Sequence, residues 1–393
     1  MNLRVGLTVM VLLVLLGPPP LPASAMPPDP QVPELLTTAD GAALDHPDQW
    51  AARRQQILEH FRDQVYGRVT VTADRVDFSV KQAPAMNGRA TRKTIDLVCH
   101  FGPRTFTFPC TLYLPASAPG PVPVVLFINN RSRDQADRTL PDLGEFWPAE
   151  MIVDRGFAAA VFKTRDVVDD DARQWLDGGL IATAEADADA PRPPDAWGAV
   201  AAWAWAAQRV MDYLETDPDV DPRRVALVGH SRGGKTALWA AANDDRFSAV
   251  VANMSGCTGA ALSRHARGEL IEHINSNFPH WFCDNYNRYN GRDRQVPYDQ
   301  HQLLACIAPR GLYVASGAED HNADPRGEFL SLAHASPAYA LLGHSTIQTR
   351  DIPAVGQSLY AGPLAYHLAP GGHGLDHAAW SRFLDFFTRL WSP

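Results

Sequence analysis

The sequence predicts an α/β architecture of three layers: a mostly parallel central sheet sandwiched by helices. Three observations predict it. Residues 122–128 and 157–162 are short, continuous apolar runs, the pattern of strands buried on both faces. Such runs alternate with segments of helical spacing, as βαβ units require. A strand-like run, 224–228, is followed at once by a glycine-flanked serine and then a helix-like run, 234–242.

In chain order, the first residues read as an export signal. Arg4 supplies a positive start, residues 5–16 an apolar run broken by Pro18, Pro19 and Pro20, and Ala23-Ser24-Ala25 a small-residue cleavage site. The run is shorter than the roughly 20 residues a membrane span needs. The expectation is therefore a signal peptide over 1–25, a single catalytic domain over 26–393, and a secreted or periplasmic protein without stable membrane association. Residues 26–33 are proline-rich and read as a loose arm. A helix is expected over 49–66, followed by strands over 76–80, 93–98 and 105–114. Further strands are expected at 122–128, 157–162, 224–228, 248–253, 312–316 and 364–368, and helices at 198–214, 234–242 and 377–390. Trp380, Phe383, Phe386 and Phe387 fall on one side of the last helix. No internal repeat is present. The stretch 166–195, rich in Asp, Ala and Pro, reads as a loop over the carboxyl ends of the strands, where open α/β sheets bind ligands.

Composition narrows the function. Charged residues are 20% and hydrophobic residues 46%, which suits a globular protein with a sizeable core. The net charge of −9 supplies no basic footprint for nucleic acid. The acidic cluster Asp169, Asp170, Asp171, Glu185, Asp187 and Asp189 reads as a solvated loop rather than a binding site. Five cysteines in an exported chain leave at least one unpaired within it. Cys99 with Cys110 and Cys257 with Cys283 are candidate pairs, Cys306 stands apart, and five buried thiols are the other reading. Nothing in the sequence points to an oligomer, and a monomer is expected.

The passage Gly229-His230-Ser231-Arg232-Gly233 matches G-x-S-x-G in the strand–turn–helix setting of a nucleophile elbow, which predicts the α/β-hydrolase fold with Ser231 as nucleophile. The glycines allow a strained turn and close backbone approach. Arg232 and Lys235 follow, and positive charge at a helix start opposes the macrodipole. Its presence suggests oxyanion chemistry: the backbone N–H of Arg232 as half of an oxyanion hole, its guanidinium adding charge to the same oxygen. Lys235 is placed to hydrogen-bond substrate, or else to pair with a core carboxylate. A serine needs a base and the base an orienter, in this fold in the order Ser, Asp or Glu, His. His373, in Pro370-Gly371-Gly372-His373-Gly374 after the last strand, is the expected base. His377 belongs inside the following helix. Glu319 and Asp320, after the strand at 312–316, are the two candidate acids. No further ligand cluster accompanies the two histidines, and no metal or other cofactor is expected.

These residues resemble the glucuronoyl esterases of carbohydrate esterase family 15, in particular the bacterial branch. The resemblance runs from about residue 122 to the C-terminus. It is carried by Gly-His-Ser-Arg-Gly-Gly-Lys at 229–235, Ser-Gly-Cys-Thr-Gly-Ala-Ala-Leu-Ser-Arg at 255–264, Phe-Pro-His-Trp-Phe at 278–282 and Asp-Gln-His-Gln-Leu-Leu-Ala-Cys-Ile-Ala-Pro-Arg at 299–310. It implies a metal-free serine hydrolase cleaving the ester between a glucuronic acid on xylan and a lignin alcohol. By the same resemblance Ser231 is the nucleophile, Arg232 the oxyanion residue, Lys235 and Glu269 sugar contacts and His373 the base. Many members carry a catalytic Glu where this chain has Met254, so the acid falls on the family's other position, Asp320. Many bacterial members carry a uronate-stacking Trp where this chain has Asn322. Trp281 reads as a sugar platform or as a core residue. Met254 and Asn322 also admit an acetyl xylan esterase or another carbohydrate esterase, and a third reading is a carbohydrate-binding protein without catalysis.

Overall fold

The structure, a computed structural model, describes residues 30–38, 41–131, 144–186 and 190–392. The expected signal segment, 1–25, and Asp187 and Asp189 of the acidic cluster lie outside the described residues. Among the described residues no helix is long and apolar enough to cross a membrane.

One ten-stranded sheet organises the chain. Its strands are β1 (Arg75–Ala85), β2 (Ala90–Phe101), β3 (Arg104–Pro115), β4 (Val122–Asn129), β5 (Ala158–Lys163), β6 (Val220–His230), β7 (Ala249–Asn253), β8 (Gly311–Gly317), β9 (Ser358–Ala361) and β10 (Leu364–Ala369), in the spatial order β1-β2-β3-β5-β4-β6-β7-β8-β10-β9. The six strands from β5 to β10 run parallel, the first three strands form an antiparallel meander, and β9 pairs antiparallel at the far edge. The continuous apolar runs are the parallel strands, buried along nearly their whole length as double-sided coverage demands.

The helices are α1 (Trp50–Phe61), α2 (Ala149–Asp154), α3 (Gly179–Ala184), α4 (Ala199–Leu214), α5 (Arg232–Asn243), α6 (Ile271–Asn277), α7 (Gln300–Ala305), α8 (Pro325–Leu341) and α9 (His377–Trp391). One face of the sheet packs residues of α1, α4, α5, α7 and α8. The other packs α2 and α9, with Trp380 of α9 edge-on to Trp147 and Phe127. The predicted three-layer α/β-hydrolase class is thus the observed one.

Three differences from the sequence expectation have physical causes. The helix expected over 49–66 ends as an α-helix at Phe61 and continues as one wider π-helical turn to Tyr66. It stops at Gly67, whose φ of 85° and approach to Ala196 leave no room for a Cβ. Helices α2, α3, α6 and α7 were not expected, since six or seven residues are too short to show a helical period, and α3 lies inside the stretch 166–195 read as a loop. Helix α8 was not expected either. It is buried on most sides and so lacks a polar stripe to give it helical periodicity, and its N-terminus is signalled only by Asp324 capping Gly327 N at 3.0 Å with Pro325 at the first position. Finally, all five cysteines are buried free thiols. Cys99 lies opposite Phe106 and Cys110 opposite Ile95, four rows apart on the β2–β3 ladder. That is about 13 Å along the strand, beyond the reach of a disulfide.

Register carries the fold to the site. Asn253 at the end of β7 lies opposite His230 at the end of β6 and opposite Ala315 of β8, while Ser316 lies opposite Leu368 of β10. The carboxyl ends of four neighbouring parallel strands therefore finish together, and the loops leaving them are delivered to one edge of the sheet.

Candidate active site

Ser231 sits between β6 and α5 with φ 57° and ψ −127°, a conformation costing about 1–3 kcal/mol for a non-glycine residue. The turn is fixed by Ser231 N donating to Asn253 O at 2.9 Å and by Gly234 N donating to Ser231 O at 2.8 Å. The flanking glycines follow from space. A Cβ on Gly229 would fall 2.0 Å from Gly233 O, and one on Gly234 would fall 2.9 Å from the Ser255 side chain.

His373 follows β10 on its glycine-rich loop. Its Nδ1 lies 2.6 Å from Oδ2 of Asp320, whose side chain is 4% exposed. Glu319 is exposed, so burial and contact separate the two acids that the sequence left side by side. Asp320 Oδ1 also accepts from Ala323 N at 3.3 Å. With Nδ1 so engaged, Nε2 is the nitrogen left for a serine hydroxyl. His377 begins α9, exposed and 4.0 Å from Glu145.

Ser231, Arg232, Lys235, Glu269, Trp281, Asp320, Asn322 and His373 all line one cleft of about 310 Å³, together with Met254, Ser255, Gly256, Phe278 and Ala323. Of the residues named from sequence for the site, the candidate acid Glu319 is not in it. Lys235 is buried, donates from Nζ to Ser255 O at 2.6 Å and Cys257 O at 2.5 Å, and stands 3.9 Å from Glu269 Oε2. Its carboxylate neighbour lines the cleft and is not a core residue. Trp281 is 4% exposed and stacks face to face on Phe278 at 3.9 Å. It is a core tryptophan that also forms cleft wall. Asn322 is exposed, and its carbonyl accepts from Glu269 N at 2.9 Å. Met254 is buried at φ 47°, with its sulfur accepting from Gly374 N at 3.2 Å.

The reading of the acidic cluster as solvated fails at Asp170. Its side chain is 6% exposed and is tied to Arg232, His280 and Trp281. Burial works against its charge, but the His280 hydrogen bond, the Arg232 charge and the Trp281 hydrogen bond outweigh it and hold the carboxyl below its usual range. Asp169 pairs with Arg165, and Glu185 accepts from Trp197 Nε1. Nothing local distinguishes Asp170 from its neighbours in an Asp-rich run, because its partners are supplied by distant segments.

Three further residues went unrecognised. Asn253 donates from Nδ2 to His230 Nδ1 at 2.8 Å and to Gly374 O at 2.9 Å, tying the histidine loop to the elbow. His230, its ring 4.5 Å from that of His373, is held well below the usual imidazole range by burial, and then by its neighbours His373, Arg131 and Arg232. Glu328 is fully buried and accepts from Ser316 Oγ at 2.6 Å, Gly256 N at 2.9 Å and Ser255 Oγ at 3.3 Å. Burial raises its carboxyl to about 8, with the nearby Asp320 adding to the rise. A strained serine, an imidazole oriented by a buried carboxylate and a cation beside the serine in one cleft are the parts needed for acyl transfer through a serine ester.

Comparison with known proteins places the chain among esterases. The family model described as "Glucuronyl esterase, fungi" matches residues 98–343. A carbohydrate esterase designated MZ0003, from an unknown prokaryotic organism, is 33% identical over 386 residues, covering 90% of this chain and 88% of that protein. The solved structure of a glucuronoyl esterase from Solibacter usitatus superposes with a TM-score of 0.87 at 35% identity, over 94% of this chain and all of the other. A structure described as a promiscuous carbohydrate esterase family 15 enzyme from a marine bacterial metagenome gives 0.82 at 31% identity, over 92% and 97% of the two chains.

Proposed function

The chain belongs to the glucuronoyl esterases of carbohydrate esterase family 15 and is a carboxylic ester hydrolase, and from that premise we propose that it cleaves glucuronoyl esters linking glucuronoxylan to lignin alcohols through a serine acyl-enzyme. The carrying observation is the 2.6 Å contact of His373 Nδ1 with buried Asp320 in the cleft that also holds Ser231. His373 Nε2 takes the proton of Ser231 as Oγ attacks the ester carbonyl. The oxyanion forms beside Arg232, where each donor is worth about 3–4 kcal/mol in comparable sites. His373 then gives the proton to the departing alcohol, and water releases the glucuronate by the same two moves. Asp320 holds the tautomer and stabilises the imidazolium. Lys235 and Glu269, paired in the same cleft, contact sugar hydroxyls. The enzyme acts as a secreted or periplasmic monomer, residues 26–393 being one catalytic domain.

The test is turnover of benzyl glucuronate against an aryl acetate by the purified enzyme, with Ser231→Ala as control. Preference for the glucuronate, abolished in the control, is the expected result. A second reading, a broader carbohydrate esterase active on acetylated xylan, is favoured by Met254 and by Asn322 where a stacking aromatic would otherwise stand. The promiscuous relative at 31% identity supports it as a class. Preference for the acetate would select it.

A further inference from the structure

The loop leaving β5 brings one buried carboxylate beneath the cleft and divides its two oxygens between two tasks. Oδ1 of Asp170 receives Trp281 Nε1 at 2.8 Å and His280 Nε2 at 3.0 Å. Oδ2 faces Arg232 Nε at 2.6 Å in an ion pair. Arg232 is further held by donation from Nη2 to Asn130 O at 2.9 Å, and its guanidinium carbon lies 5.9 Å from the centre of the Trp281 ring. Neither polar contact uses Nη1. The guanidinium is thus held by an ion pair at Nε and a hydrogen bond at Nη2 from the loops leaving β5 and β4, and its stem is pinned by the elbow itself.

We infer that Asp170 is a positioning residue for the esterase reaction, holding the Arg232 guanidinium beside the developing oxyanion and fixing Trp281 as cleft wall. This rests on the reading of Arg232 as the oxyanion cation. The physical need is plain. An arginine side chain has several soft torsions, and a flexible cation beside a strained serine would lose most of its value to entropy and to solvent. A misplacement of 1 Å in a reacting site costs up to about 100-fold. An anion next to the cation also lowers the charge felt by the oxyanion, so the arrangement makes sense only if orientation outweighs field strength. Two polar contacts, with Nη1 uncommitted among the described residues, fit that requirement. His280 matters for the same reason. It occupies Oδ1 together with Trp281, so the carboxylate cannot rotate away from Arg232 without breaking two hydrogen bonds inside a buried site, each worth more there than in water.

The experiment is a double-mutant cycle on benzyl glucuronate with Asp170→Asn, Arg232→Ala and the double variant, reading kcat and KM separately and melting temperature alongside. Asparagine keeps the shape of the side chain but not its charge. The expected result is a fall in kcat of about 10- to 100-fold for Asp170→Asn. In the Arg232→Ala background the same change should cost almost nothing further, because there is no guanidinium left to position. Equal fold losses in both backgrounds would mean that Asp170 acts through Trp281 or general stability and not through Arg232, and would overturn the inference. So would an unchanged kcat in Asp170→Asn where Arg232→Ala is impaired. If Arg232→Ala itself retains wild-type kcat, the oxyanion reading of Arg232 falls, and the inference with it. Should Asp170→Asn not fold, Asp170→Glu, which keeps the charge but displaces it by one methylene, enters the same cycle, and the same loss confined to the Arg232 background is required.

Discussion

His373 and Asp320 meet at 2.6 Å through Nδ1 and Oδ2, while the side chain at 254, from the end of a different strand, touches the amide of Gly374 one residue along. The histidine loop is therefore met from the ends of two strands, by a methionine sulfur beyond β7 and by a carboxylate beyond β8.

Asp320→Asn should keep the fold, since the side chain retains its shape and its bond from Ala323, and should lower kcat by about 10⁴-fold through the wrong imidazole tautomer. Glu319→Gln, at an exposed position, should leave kcat unchanged. Steady-state kinetics with circular dichroism as the fold check decides both. A reversal of the two effects would move the acid to Glu319.

Met254→Glu should restore part of the activity of Asp320→Asn, on the order of tenfold, by supplying a carboxylate on the β7 side of His373. Measured in the double variant, the absence of any recovery would mean that the cleft cannot hold a charge at 254.

Glu328 should make stability fall with rising pH. The folded protein keeps its proton up to about pH 8, whereas the unfolded chain releases it near the ordinary value of 4.5. Between those limits the folded state binds more protons, so unfolding becomes easier as pH rises. Glu328→Gln removes the titration. Its melting temperature relative to wild type should therefore be higher at pH 8 than at pH 5, and a difference that does not change with pH would count against the assignment.

Acid should act through two buried histidines. Burial lowers His301, bonded to Pro33 O, to about 3, and His367, bonded to the Tyr313 hydroxyl, to about 4. Both stay neutral in the folded state while the unfolded chain takes up protons below about 6.5. The stability they allow is complete above that value and is lost as pH falls towards 4. His367→Gln should lose less melting temperature between pH 7 and pH 4.5 than wild type does.

The five thiols should be inert in the native enzyme. Burial raises Cys99, Cys110, Cys257, Cys283 and Cys306 to about 12. A thiol reagent should label all five only after denaturation without reductant. Fewer than five would reveal a bridge.

The residue string by itself determined the sheet, the elbow and the candidate base. A strand buried on both faces is written as an apolar run, a glycine that admits no Cβ as a glycine, and a loop histidine after the last strand by its place in the order. It missed α2, α3, α6, α7, α8 and β9, because helices of six or seven residues are too short to show a period, a helix buried all round has no periodic stripe and a four-residue edge strand has no pattern to show. Spacing alone left Glu319 and Asp320 side by side, the family resemblance pointed to Asp320, and Asp170 was read as solvated. Which of two adjacent acids is buried, and which aspartate in an acidic run meets an arginine, depends on segments more than 50 residues away along the chain. Burial and partnership are properties of packed space, so only the tertiary structure buried Asp320 against His373, set Asp170 against Arg232, and placed Glu328 under the cleft.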